Sequence, residues 1–118
     1  DLAGQAIVIG FHRGDAYATG LSYLVVQPEF QDASALRAFS VAVDHLEETI
    51  EVLDALLNGA PRVILGDENP FGTRCGTVAS HLALPEGTTL TLGIVGPMRM
   101  AYDHQLGLLE TVRTALGE

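Results

Sequence analysis

Between Thr89 and Val95 the residues alternate with a period of two. Leu90, Leu92 and Ile94 fall on one side; Thr89, Thr91, Gly93 and Val95 fall on the other. That is the pattern of a half-buried strand. Gly96 then allows a sharp turn, and Pro97 pre-sets φ for a first helical turn. Beyond it Tyr102, Leu106, Leu109, Val112 and Leu116 recur at helical spacing, which predicts a helix from about Pro97 to Leu116. A strand joined this tightly to the last helix fixes how that helix lies on the sheet.

The remaining elements follow from the same pattern. Gln5–Phe11, QAIVIGF, is a short β-branched apolar run and reads as a strand buried on both faces. A polar turn follows at His12–Asp15. Thr19–Val26 predicts a short helix with Thr19 as N-cap, ended by Pro28. Gln31–Leu57 reads as one long helix, because Leu36, Phe39, Val43, Leu46, Ile50, Leu53 and Leu57 alternate in steps of three and four. Asp32 or Ser34 can cap it, and Asn58–Gly59 with Pro61 stops it. Its apolar stripe fits either packing on a sheet or a coiled-coil seam. Arg62–Gly66 and Arg74–Leu82 read as strands flanking the turn-rich loop Asp67–Gly72, DENPFG. Leu84–Gly87, LPEG, would close an antiparallel hairpin with the strand at Thr88–Val95. Three late strands close in sequence, with helices before and after them, predict an α+β domain with a mostly antiparallel sheet.

Length agrees with one domain over residues 1–118, large enough for a real core. No apolar run approaches a membrane span. The chain starts at Asp1 rather than Met and reads as a piece of something longer. A single cysteine, Cys75, excludes an internal disulfide and a paired-cysteine zinc site; both suit the cytoplasm. Charge narrows the function further. Six arginines and no lysine stand against 15 Asp+Glu, a formal charge of −9, and the arginines are dispersed. A nucleic-acid surface needs clustered cations to replace counterions at phosphates. This chain should repel DNA.

Few residues propose chemistry of their own. His12, His45, His81 and His104 share no metal-binding spacing, and surface histidines are the simpler reading. Cys75 reads as a small buried hydrophobe, lacking an evident base. Asp67, Glu68 and Asn69 could offer oxygen ligands, but a calcium site needs more of them, and Asx residues usually bond their own turn. Neither metal nor cofactor is expected. Asp44, Glu47, Glu48, Glu51 and Asp54 line the polar side of the long helix, either as a solvated face or as a patch for a partner. Arg99 stands out, since a cation in the first turn of a helix opposes the dipole. Asp67, Glu68, Asp103 or a backbone carbonyl would hold it, locking the strand–helix corner to the DENP loop; a bound anion is the alternative.

Three segments resemble a known family. With Gly20, Leu21–Phe30, LSYLVVQPEF, is similar to the G-L-S-x-L-L-x-x-P-E-F segment of the heat-inducible transcription repressor HrcA family. GDENP at Gly66–Pro70 resembles that family's I-G-x-E-N-P loop. GIVGPMRMAY at Gly93–Tyr102 resembles its G-V-I-G-P-T-R-M-D-Y signature. Met98 replaces the usual Thr and Ala101 the usual Asp, which removes a possible N-cap or ion pair. The resemblance implies the C-terminal, GAF-like part of a dimeric repressor of chaperone genes. In that family a winged helix-turn-helix, absent from this chain, reads an inverted-repeat operator, and the chaperonin GroEL keeps the repressor active. It implies a non-catalytic regulatory domain whose decisive motif residues are Glu68, Asn69, Pro70, Gly96, Pro97, Arg99, Met100 and Tyr102. A GAF-type small-molecule sensor is the rival reading, and an enzyme using His81, Cys75 or Glu68 a third. The sensor requires a pocket between sheet and helices; the enzyme requires those groups to converge.

Overall fold

A computed structural model describes residues 5–11, 14–58 and 61–116. His12, Arg13 and Gly59, which enter the turn and helix-stop expectations, lie outside the described residues. Five strands form one antiparallel sheet: β1 (Ala6–Phe11), β2 (Ala16–Thr19), β3 (Arg62–Leu65), β4 (Cys75–Ala83) and β5 (Thr89–Pro97). Their spatial order is β2-β1-β5-β4-β3. The helices are α1 (Leu21–Val25), α2 (Ala33–Asp44), α3 (Leu46–Ala55) and α4 (Tyr102–Ala115), with short 3-10 turns at Pro28–Gln31 and Gly66–Glu68. The architecture is α+β and consistent with a GAF-like fold.

β5 lies at the centre, paired with β1 on one side and β4 on the other. The period of two divides the sheet. Val95 faces α1–α3 together with Ala6, Val8, Cys75 and Ala79; Ile94 faces α4 with Val78. The larger layer is sealed by Leu24, Phe30, Phe39, Leu53, Ile64 and Phe71. Phe39 meets Phe30 edge-on at 5.2 Å and a tilted Phe71 at 6.2 Å. The smaller layer packs Met100 and Leu109 on Val78 and Ile94. The β4–β5 hairpin turns as expected at Leu84–Gly87: the Leu84 N–H donates to the Thr88 carbonyl at 2.8 Å, and Gly87 takes a positive φ of 100°.

Several expectations are corrected. The long helix is two, broken at His45, whose φ and ψ of −116° and 47° leave the helical region. A rod of 27 residues would be about 40 Å long and overrun the sheet; the break lets α3 pack on β1 and β2 while α2 packs on the Pro28–Gln31 turn and on α3. The buried Thr49 hydroxyl stabilises the break by donating to the carbonyls of Ala42 at 2.7 Å and His45 at 2.9 Å. The stripe also shifts within α2: Ala35, Phe39 and Ala42 are buried while Leu36 is exposed, so the coiled-coil seam is not present. Thr19 ends an edge strand, Ala16–Thr19, rather than capping a helix, and Gly20 is the N-cap of α1. Gly20 has a φ of 84°, and a Cβ there would stand 2.7 Å from the Gln5 carbonyl oxygen. β1 is buried on one face only: Ala6, Val8 and Gly10 are covered, while Ile7 and Ile9 are partly open. Pro97 does not begin a helix. It closes β5 opposite Cys75, and α4 starts only at Tyr102.

Candidate functional site: the joint of three motifs

The three signature segments meet at the end of the sheet where β5 finishes, β4 begins and the chain turns into α4. Asn69 is the hub of the middle segment. Its residue is 5% exposed. Its amide N–H₂ donates to the carbonyl of Cys75 at 2.9 Å and more weakly to that of Ile64 at 3.5 Å. Its Oδ1 accepts from the Phe71 N–H at 3.0 Å and from the Thr77 hydroxyl at 3.1 Å. One side chain thus closes the 3-10 turn and joins the exit of β3 to the start of β4. Only a side chain with both donors and an acceptor can do this, which selects Asn over Asp. Beside it Glu68 is exposed, with both carboxylate oxygens 3.1 Å from Arg62 Nη2; Arg62 Nη1 donates to the Leu56 carbonyl at 2.6 Å. Pro70 lines a shallow groove against Ala38, Val41 and Thr49.

The third segment is built around small residues that admit large ones. A Cβ on Gly96 would come within 2.6 Å of Met100 Sδ and 2.9 Å of Gln5. Gly96 pairs with Gly76, over which the Tyr102 ring lies; a Cβ on Gly76 would be 2.0 Å from the Tyr102 hydroxyl oxygen. That hydroxyl donates to the Met98 carbonyl at 2.6 Å, and the Met100 N–H donates to the Pro97 carbonyl at 2.9 Å. Ala101 is the N-cap of α4, and its methyl side chain makes no cap bond.

Arg99 is held, but not by the loop expected. It lies in the turn before α4, outside any helical turn, so no dipole opposes it. Its Nε lies 3.2 Å from Glu29 Oε2, and its Nη2 donates to Gln27 Oε1 at 2.7 Å. Asp67, Glu68 and Asp103 are not its partners. The signature arginine therefore ties the third segment to the first, the PEF turn. The 66–70 loop joins through other contacts: Arg74, just beyond it, reaches Asp32 at 3.4 Å and accepts from the Met98 N–H through its own carbonyl at 3.3 Å. Asp32 also caps α2, its Oδ1 accepting from the Ser34 N–H at 3.2 Å.

Cys75 sits inside this joint. Burial, and then the charge of Glu29, push its thiol up to about 12. Burial, with Cys75 next, also raises the Tyr102 phenol. A thiol held so firmly protonated is no nucleophile at neutral pH.

Sequence reasoning missed a second polar cluster. Asp54 of α3 turns toward the sheet, where its Oδ1 accepts from the Thr91 hydroxyl at 2.7 Å and contacts His81 Nε2. His81 and Thr91 are cross-strand partners on the helix-facing side of the hairpin. The register could have found this pair; the acidic run hid Asp54. Near it, Asp15, Glu47, Glu51 and Asp54 rim an open hollow of about 200 Å³ floored by Gly10 and Ile50.

The rival readings fare differently. The aromatic and aliphatic side chains of the larger layer fill the space between sheet and helices, which speaks against the sensor. His81 and Cys75 lie six residues apart on β4, about 20 Å at strand rise, and Glu68 pairs with Arg62. They do not converge. Among the described residues no group of three His, Cys, Asp or Glu could hold a metal ion, and no helix is long and apolar enough to cross a membrane.

Fold and joint together define a GAF-like α+β domain whose signature residues make contacts between its own elements, Asn69 and Met100 in the interior and Glu68 and Arg99 at the surface. The family described as "HrcA protein C terminal domain" matches residues 2–105, and the chain belongs to that family. Among curated proteins it is similar to the heat-inducible transcription repressor HrcA of Synechococcus sp. (strain RCC307), 35% identical over 104 residues, covering 86% of this chain and 31% of that protein. The namesake from Gloeobacter violaceus is 30% identical over 105 residues, covering 82% and 28%. That from Xylella fastidiosa (strain M12) is 29% identical over 121 residues, covering 99% and 34%. The chain thus spans about a third of the length of the curated relatives it matches. No solved structure matches it significantly.

Proposed function

We propose that residues 1–118 form a single, non-catalytic regulatory and assembly domain of a cytoplasmic heat-shock repressor, a negative regulator of chaperone genes. The observation that carries this reading is the interlocking of the three signature segments. Glu68, Asn69, Pro70, Gly96, Pro97, Arg99, Met100 and Tyr102 are used to hold elements of the domain together rather than to present a reactive group. A rigid body of this kind sets the spacing and orientation of DNA-reading heads on the two half-sites of an operator. The parent protein works as a homodimer, and its DNA contacts belong to a winged helix outside this chain. A net charge of −9 supports that division, because phosphate binding needs the opposite sign. GroEL is the chaperonin partner of the parent protein in this reading.

The test compares the full-length protein with the 118-residue chain on operator DNA across a salt series. The full-length protein should bind with an affinity that falls steeply as salt rises. The 118-residue chain should not bind even at low salt. Tight, sequence-selective binding by the short chain would overturn the division of labour.

A further inference from the structure

The break at His45 does more than shorten a helix: it leaves a groove between α2 and α3, which a straight rod would lack. Its walls are Ala38, Val41 and Ala42 of α2 and Thr49 and Val52 of α3, with Pro70 of the signature loop beside them. The groove holds about 260 Å³, and past Ala38 and Val41 it opens into a larger hollow that reaches Ser34 and Arg37. Val41 and Val52 are 54% and 52% exposed. The Thr49 hydroxyl is engaged with the carbonyls of Ala42 and His45, so it offers the groove no free donor. Charge stands at the two ends: Arg37 at one, and at the other His45 with Glu48, 3.7 Å apart. Two half-open valines and a proline lining one groove form a contiguous apolar patch, the mark of an interaction site rather than of a solvated face.

We propose that this groove docks a helix of a partner protein, an amphipathic one whose aliphatic stripe is flanked by Lys or Arg. The length suits a helix: α2 runs for 12 residues, about three turns, which a ligand reads with anchors at i, i+3 or i+4, and i+7. Charge selects the flanks. Asp44, Glu48 and Glu51 are exposed within a helical turn of the valines, and α3 carries no arginine. The formal charge of −9 adds a long-range pull on a cationic partner. Charge also decides against a second copy. Among the described residues no helix carries more than one arginine: α2 has Arg37, α4 has Arg113, and α1 and α3 have none. The chain has no lysine. No helix of a second copy therefore presents an apolar stripe between cations. Two copies meeting groove to groove would set Asp44, Glu48 and Glu51 of each against the same residues of the other, and like-charge contact is costly.

The test uses three synthetic peptides of about 18 residues, long enough for several helical turns. One carries a leucine–alanine stripe flanked by lysines, one the same stripe flanked by glutamates, and the third is a scramble of the first. Binding to the 118-residue chain is read by fluorescence anisotropy at about 0.15 M salt, and the contact is mapped by amide shifts. The lysine-flanked peptide should bind at micromolar concentration and shift Ala38, Val41 and Val52. The other two should bind at least about tenfold more weakly. Val41→Arg and Val52→Arg, at exposed positions, should each weaken the first peptide by about tenfold with Tm unchanged. Leu65→Arg, on the exposed part of β3 outside the groove, should leave it alone. Equal binding by the scramble, or undiminished binding by both valine variants, would overturn the proposal, since charge alone would then explain the affinity. Two further results would also overturn it. Self-association of the chain that Val41→Arg abolishes would give the groove to a second copy. Loss of peptide binding in the full-length protein would give it to the same polypeptide.

Discussion

The two ends of the β4–β5 hairpin are both tied to neighbouring elements by polar side chains, and the ties differ in kind. At the motif end Asn69 is buried and uses its donors and its acceptor on backbone and side-chain groups of one tight loop. At the turn end Asp54 reaches from α3 to His81 and Thr91 at the rim, with much of its side chain in water. The first tie is a geometric part of the fold: without it several buried polar groups lose their partners. The second adds a contact between elements that apolar packing already places. Buried and fully satisfied polar groups matter through what their loss leaves behind, whereas exposed ones matter only through their modest net worth.

The largest effect that separates the two is Asn69→Ala. It strips partners from the buried Thr77 hydroxyl, the Cys75 carbonyl and the Phe71 N–H, and should cost about 3 kcal/mol or more in urea unfolding. A loss below that of Asp54→Ala would reverse the ranking.

The next effect is one of pH and concerns Cys75 at the motif end. Its folded-state value near 12 lies above its ordinary value, so the folded chain holds a proton that the unfolded chain gives up above about pH 9. That stability is complete below about pH 9 and is lost as pH rises toward 12. At pH 10.5 the linkage amounts to about 2 kcal/mol. Tyr102 shifts in the same direction. Comparing urea unfolding at pH 8 and pH 10.5, the Cys75→Ala variant should lose much less than the parent; an equal loss would remove the thiol from the account.

Smaller again is Asp54→Ala, at about 1–2 kcal/mol, since it leaves the buried Thr91 hydroxyl without this acceptor. The unfolding midpoint should move, with the slope against denaturant unchanged.

How much of this could be read from the residues alone follows from range. The period of two in Thr89–Val95, the LPEG turn and the α+β class are local or short-range, and they were legible. So was the bonding of Asn69 to its own turn, because Asx residues at turns bond nearby backbone; Gly96, expected to turn the chain sharply, instead lies within β5, where its missing side chain makes room for Met100. Pro97 misled, because a proline that starts a helix and one that closes a strand carry the same local signal. β2 was missed because Ala16–Thr19 is a four-residue edge with no strong strand pattern. The break at His45 reflects the width of the sheet beneath, which no helical periodicity encodes. Asp54 looked like its acidic neighbours until the register put His81 and Thr91 under it. Arg99 found partners some seventy residues away, at Gln27 and Glu29, where sequence could rank nearby carboxylates only by proximity.

The central claim is that the signature arginine joins the first and third motifs through Glu29. A double-mutant cycle of Arg99→Ala with Glu29→Gln in the 118-residue chain tests it most directly, set against the cycle of Arg99→Ala with Glu68→Gln. The Arg99–Glu29 pair should show a coupling of about 0.5–1 kcal/mol, modest because Arg99 is largely exposed, and the Arg99–Glu68 pair none. Coupling to Glu68 with none to Glu29 would contradict the account.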